Sequence, residues 1–281
     1  MNAELDRGRR CVDRISTMGT VVSVDVRGRP SRPDFEQAVL AVGARLRSID
    51  ELFSPWRPGS WVSRLMSAEV RLADCPAEVQ RVIELAISMT ARTQGCFSPF
   101  WRGEAGAWTG PDPTGLVKGW AAQQASDLLI ARGLPDHVVN AAGDLVLSGD
   151  PDPAGDAAAS AWRIGIGDPR RSAALVGTVE LDASTSRWAV ATSGVAERGL
   201  HIYDPVTGSP TETVSSATAL MAVSDTNDAG AVADASATAL VAAADRAPGL
   251  LDGLAREDVL GFVITRSGDL HDPHGMLMLA R

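Results

Sequence analysis

The chain has 281 residues, of which 45% are hydrophobic and 22% charged, enough to bury a full core in one large domain or two lobes. With 26 Lys+Arg against 35 Asp+Glu, its formal net charge is −9, which argues against nucleic acid as the main partner, because phosphate binding needs clustered cations. The basic clusters at Arg7–Arg10 and Asp168–Arg171 are too short to reverse that balance. Cys11, Cys75 and Cys96 are odd in number and widely spaced, as reduced thiols would be. No apolar h-region opens the chain and no run of about 18 apolar residues occurs, so no membrane span and a cytoplasmic setting are expected.

Residues 1–17 are expected to form a flexible N-terminal segment, and 18–281 a single domain. Thr20–Gly28 alternates as a half-buried strand. Residues 32–54 follow as a helix, with Phe35, Val39, Val42, Leu46 and Ile49 on one face. Pro58-Gly59 breaks the chain before a short segment at 60–67. Residues 75–95 read as a second helix, with Pro76 near its first turn, Gly95 near its end, and an apolar stripe of Val79, Val82, Ile83 and Ala86. Gly103–Pro113 reads as a loop and residues 117–133 as a third helix. Residues 137–149 form two strands kinked at Ala142-Gly143.

Further strands are expected at 161–169, 175–182, 188–194, 201–205 and 215–224, with a low-complexity surface loop near residue 150. A small-residue helix covers 227–245, and the chain closes on 259–272 and 275–280 as a hairpin-like pair. Helices and strands mix without a βαβ rhythm, which predicts an α+β fold.

Several residues could carry chemistry. Asp234 and Thr238 stand four apart on a predicted helix, so carboxylate and hydroxyl share a face as a half-site for a hard cation such as Mg²⁺; packing through small residues explains the same spacing. Gly115 lets backbone approach a ligand, and a helix starting near Val117 offers N–H groups to an anion. Lys118 at that end opposes the helix dipole and asks for a reason. Asn140–Val146 is a tight strand–turn–strand, which a simple hairpin also explains. His271 and His274 form a metal-like pair without a third ligand, a pattern more usual in a surface turn. His201 stands beside the Asp204–Gly208 corner, where Asp-Pro and Thr-Gly signal turns.

Taken in order, "MGT" (18–20), "FSPWRPGSWVSRL" (53–65), "GCFSPF" (95–100), "DPTGLVKGWA" (112–121), "VNAAGDLVLSG" (139–149), "WRIGIGDP" (162–169), "VATSGVAERGLHIYDPVTG" (190–208) and "ADASATAL" (233–240) resemble the ApbE-type FAD:protein FMN transferase family. The likeness extends from about Met18 to the C-terminus. It implies a T-fold-like architecture of mixed, largely antiparallel sheets packed with helices. It also implies Mg²⁺-dependent transfer of FMN from FAD to a Thr or Ser hydroxyl of an acceptor flavoprotein, with release of AMP.

By matching positions, the resemblance makes Asp234, Thr238 and the Gly115 carbonyl the Mg²⁺ ligands. Met18, Cys96, Phe97, Ser98, Asp112, Lys118, His201 and Ile202 would contact FAD. His201 would accept the proton of the attacking hydroxyl, a task suited to an imidazole near neutral pH. The chain departs from the family pattern at Ser98 (usually Asp), at Asp112-Pro113-Thr114-Gly115 (more often Asp-Leu-Gly-Gly), at Ala142 (usually Gly), at Leu200 (often Ser) and in its short 97–112 segment. A Mg²⁺-dependent FAD pyrophosphatase yielding FMN and AMP, and an FAD-binding protein without catalysis, are the alternatives.

Overall fold

Alternating apolar residues build a large antiparallel sheet in the computed structural model, which describes residues 10–100, 110–153, 161–171, 173–195 and 202–280. Strands β1 (Arg10–Thr17) and β2 (Thr20–Arg27) form a hairpin closed by Met18 and Gly19, with φ of +51° and +67°. Both central residues are thus left-handed, the combination that matches the twist of paired strands. β1 lies in the stretch assigned above to the flexible segment, and that expectation is corrected for residues 10–17. They pair with β2 along their whole length, from Arg10 opposite Arg27 to Thr17 opposite Thr20.

Helix α1 (Arg32–Phe53) is capped by Ser31, whose hydroxyl accepts from Asp34 N. Helices α2 (Trp61–Met66), α3 (Ala77–Arg92) and α4 (Thr114–Ile130) follow. α4 begins three residues before the expected Val117. Its opening is set by Asp112 Oδ1, which accepts from Thr114 N at 2.9 Å.

Strands β3 (His137–Ala141), β4 (Asp144–Gly149), β7 (Ala183–Gly194), β8 (Val214–Val223), β9 (Val259–Thr265) and β10 (Leu270–His271) complete the large sheet, in the order β1-β2-β3-β4-β7-β8-β9-β10. Strands β5 (Trp162–Gly167), β6 (Leu175–Leu181) and β11 (Met278–Leu279) form a smaller one. The last segment therefore does not pair with β10 as expected. Met278 and Leu279 pair with β6 instead, covering an edge of the small sheet. The expected strand at 201–205 is also corrected. Tyr203 makes one isolated bridge to Pro210, and the turn bonds Gly208 N to Asp204 O and Asp204 N to Ser209 O pull the chain around. All strand pairs among the described residues are antiparallel.

The central strands of the large sheet are buried on both faces. Val22, Val24, Ala189 and Ala191 point to the helix side, while Val190, Leu220, Phe262 and Ile264 meet Trp162, Ile164 and Val179 of the small sheet. Helix, large sheet and small sheet make three layers, an α+β fold. Within the helical layer lies α5 (Ala229–Ala242), buried at every residue except Thr238. A short helix, α6 (Ala247–Ala255), follows it.

α4 and α5 touch backbone to backbone. A Cβ on Gly119 would lie 2.1 Å from Gly230 O, and one on Gly230 would lie 2.2 Å from Gly119 O. Gln123 locks the crossing, accepting from Gly230 N and donating to Asn227 O, both at 2.8 Å. No helix among the described residues is long and apolar enough to cross a membrane.

His137 opens β3 with no exposure. Its Nδ1–H donates to Leu134 O at 2.7 Å, so Nε2 accepts from the Ser126 hydroxyl at 2.8 Å. Arg187 in turn donates to Ser126 Oγ at 3.1 Å. Burial holds the imidazole neutral and lowers its pKa to about 4.

Two outcomes are expected. Gly230→Ala overpacks the crossing and should lower stability by about 1–3 kcal/mol or more, read as a fall in the denaturant midpoint. Between pH 6.5 and 4 the unfolded chain protonates His137 while the folded chain does not, so stability falls on acidification, by roughly 3 kcal/mol across that window. His137→Gln should remove most of that slope in denaturation curves taken across the same range, and an unchanged slope would assign it elsewhere.

Candidate active site

Strand register gathers several candidate residues at one end of the large sheet. Pairing of Val22 with Ala141 sets the Met18-Gly19 turn beside the Ala142-Gly143 turn, from which Asp144 opens β4. Leu145 opposite Val190 brings the last residues of β7, including Ser193, to the same end. Asn140 Oδ1 accepts from Gly143 N at 2.8 Å and fastens the second turn. Ala142 adopts φ +57° there, so its methyl group occupies the left-handed position without opening the turn.

Above this end, the first turns of α4 meet the middle of α5. The carboxylate of Asp234 accepts from Gly119 N at 3.1 Å and lies 3.9 Å from Lys118 Nζ. Lys118 Nζ donates to Asp144 Oδ2 at 2.5 Å. Both carboxylates are about 3% exposed, against 30% for the lysine. Burial and then the neighbouring Asp234 charge push Asp144 up to about 7, against the pull of Lys118. Burial likewise raises Asp234. One ammonium thus faces two desolvated acids, and the local charge favours a further cation. The reason for Lys118 at a helix N-terminus is its acidic partners on other elements.

The donor set beside this cluster is all oxygen. Thr238 is one turn beyond Asp234 on α5, and its hydroxyl lies 3.0 Å from Ser193 Oγ. In a regular helix the Gly115 carbonyl accepts from Gly119 N–H, and the Asp234 carboxylate, which also accepts from that N–H, competes with it. Carboxylate, hydroxyl and carbonyl oxygens suit a hard ion such as Mg²⁺. His271 and His274 are apart from this cluster: His271 pairs with Val263, and His274 Nδ1 faces Gly261 O at 3.4 Å. No group of three His, Cys, Asp or Glu that could hold a metal occurs among the described residues.

The 96–98 segment forms the adjoining wall. Phe97 N donates to Thr93 Oγ1 at 3.0 Å, and Asp112 N donates to Pro99 O at 2.7 Å. The Phe97 ring lies against Gly115, where a Cβ would come within 2.9 Å of Cε2, so only glycine fits. Cys96 is buried near Asp204 and Arg246, and burial raises its thiol pKa. Arg246 pairs with Asp204 at 2.8 Å, and Asp204 also accepts from Val206 N and Thr207 Oγ1. Ile202 is 8% exposed, and its carbonyl accepts from Thr211 N at 3.2 Å. Ser98 Oγ accepts from Phe100 N at 3.2 Å. Asp112 is raised by burial. His201 lies outside the described residues.

The structure thus brings Lys118 and Asp234 into contact, sets Thr238 on the same helix, and packs Phe97 and Asp112 against the start of α4. It adds Asp144 and Ser193, which the sequence reading left as a turn residue and a motif member. Asp144 had a signal in Lys118, a positive charge set against the helix dipole. Ser193 had none beyond its motif.

The ApbE family model matches residues 18–115 and 111–259. The chain belongs to the ApbE family. An FAD:protein FMN transferase of Rhodobacter capsulatus is 26% identical over 81% of this chain and 50% of its own length, so the chain spans about half of that curated relative. The fold is that of the ApbE protein of Thermotoga maritima (TM-score 0.75, 20% identity, 95% of this chain and 97% of that one). It is also that of the flavinyl transferase ApbE of Pseudomonas stutzeri (TM-score 0.72, 20% identity, 98% and 100%) and the flavin transferase ApbE of Vibrio cholerae (TM-score 0.69, 20% identity, 96% and 96%).

Lys118→Met leaves Asp144 and Asp234 without their ammonium, a loss of about 3–5 kcal/mol expected when one partner of a buried pair is removed. Both acids already titrate above their unfolded values, so this loss is largest at high pH and shrinks as protonation neutralises them. Chelator-treated protein melted at pH 8 and pH 5.5 should show a larger deficit at pH 8.

Proposed function

We propose that the chain transfers FMN from FAD to a Thr or Ser hydroxyl of an acceptor flavoprotein in a Mg²⁺-dependent reaction that releases AMP. The buried Asp234–Lys118–Asp144 cluster, set beside Thr238 and the glycine-lined start of α4, carries this reading; membership of the ApbE family supplies the reaction class. Asp234, Thr238 and the Gly115 carbonyl would hold the ion. Bound there, it would neutralise charge on the pyrophosphate and on the departing AMP.

Other residues supply position and proton transfer. At the start of α4, Lys118 supplies a positive charge held in place by Asp144. Met18, Cys96, Phe97, Ser98, Asp112 and Ile202 are assigned to FAD contact. His201, assigned from its motif, accepts the hydroxyl proton as the acceptor oxygen bonds to the FMN phosphorus. The pyrophosphate P–O bond breaks as that bond forms, and AMP leaves with the electron pair. We read residues 18–281, together with β1 that pairs onto them, as one domain. The free thiols of Cys11, Cys75 and Cys96 are in keeping with a cytoplasmic setting.

Incubation with FAD, Mg²⁺ and an acceptor flavoprotein should give a covalent fluorescent band and one AMP per flavin attached. Asp234→Asn should lower that rate about a hundredfold or more. Rapid AMP release without acceptor would favour hydrolysis, and bound FAD with neither product would leave a binding protein.

A further inference from the structure

We propose that Ser193 is a positioning residue that aims the Thr238 hydroxyl at the metal, an inference resting on the Mg²⁺ reading above. Along β7, Ala189 and Ala191 face the helical layer while Val190 faces the small sheet. The two-residue period therefore turns Ser193 toward α5, where its Oγ lies 3.0 Å from Thr238 Oγ1. The strand is fixed here on its other face as well. The neighbouring Thr192 hydroxyl bonds to that of Thr218 on β8 at 2.9 Å, and Ser193 pairs with Ala217 in register.

The chemistry of a helical threonine shows why such a partner matters. One of the two rotamers open to a helical threonine turns its hydroxyl back onto the carbonyl three or four residues earlier, which for Thr238 would be that of Ala235 or Asp234. In that rotamer its hydrogen is spent on its own helix. A hydroxyl that ligates a cation presents an oxygen lone pair to the ion and must place its hydrogen on an acceptor elsewhere. Ser193 Oγ is such an acceptor, on a rigid strand instead of the ligand's own helix. It selects the orientation of Thr238 before the ion arrives, as partners of metal ligands do in other sites.

The test uses Mn²⁺ as the probe, titrated into FAD-loaded protein and read by the electron paramagnetic resonance of the free ion. Ser193→Ala should weaken Mn²⁺ binding about tenfold or more, whereas Ser193→Thr, which keeps a hydroxyl, should recover most of it. FAD affinity in chelator and the metal-free melt should stay near wild type. In a Thr238→Ala background, Ser193→Ala should cost nothing further, because Ser193 acts through that hydroxyl alone.

Wild-type affinity in Ser193→Ala, or losses that simply add in the double variant, would overturn the assignment. Asp234→Asn separates the two levels. If it abolishes Mn²⁺ binding while Ser193→Ala does not weaken it, the metal site stands and the role of Ser193 falls. If it binds Mn²⁺ like wild type, the metal reading itself fails. Should Ser193→Ala lose its cooperative melt, the Thr238→Ser variant replaces it. That variant keeps both hydroxyls and should bind within a few-fold of wild type, and a loss as large as that of Thr238→Ala would contradict the proposal.

Discussion

The close approach of α4 and α5 at Gly119 and Gly230 is the constraint on which the rest depends. With no Cβ at either position the two backbones meet, and Asp234 reaches the Gly119 N–H. Any larger residue at the crossing would separate the helices, and Asp234 would lose both that donor and its proximity to Lys118. The alanines of α5 serve the same geometry. A helix of small side chains can lie buried between α4 and the large sheet without pushing either away. Its helix propensity is high because alanine loses no side-chain entropy, so a fully buried helix with almost no amphipathic character still forms.

That packing leaves two carboxylates desolvated around one lysine, and the arrangement is costly for a metal-free protein. Apolar residues of similar volume would be as stable or more so. The position of the cluster explains its persistence. It stands where the start of α4, the Ala142-Gly143 turn and the end of β7 converge, and four elements supply its charged groups and hydroxyls. Such desolvated, charge-coupled acids are what a site for a ligand of opposite sign would require. The lysine offsets the charge of the two acids it faces.

Much of this fold could be read from residue pattern. Period-2 alternation marked β2, and helical stripes marked α1 and α3, because each has one wet face and one dry face. α5 was legible from its alanines. Elements lacking that contrast were not. β1 is partly exposed on both faces and carries Arg10, Asp13 and Arg14, so only its pairing with β2 defines it. α6 contains Pro248, Gly249 and Gly253, which read as loop residues, and it forms because Leu250, Leu251 and Leu254 bury against the core. β11 is two residues long and pairs with a strand about a hundred positions earlier, a contact no local pattern encodes. At the site, the Asp234–Thr238 spacing was visible within one helix. The Lys118–Asp144 and Ser193–Thr238 contacts join different elements, and only the packed helices and the strand register reveal them.

Two of the departures from the family pattern, Ser98 and Ala142, lie in turns that the structure describes. Ser98 stands where an aspartate is usual, and its Oγ accepts from Phe100 N as a short carboxylate would in the same turn. The difference is one negative charge fewer beside a wall that would face a dinucleotide. In a chain of net charge −9, that removes a repulsion and not a structural bond. Ala142 stands where glycine is usual, and it holds the left-handed conformation at a cost of about 1 kcal/mol, because Asn140 Oδ1 and the flanking pairs over-determine the turn. Gly115 differs from Ala142 in that the Phe97 ring occupies the space a side chain would need. The chain thus keeps glycine where atoms collide and gives it up where only a dihedral angle is strained. Close contact with the Phe97 ring, and not turn geometry, is what the start of α4 demands.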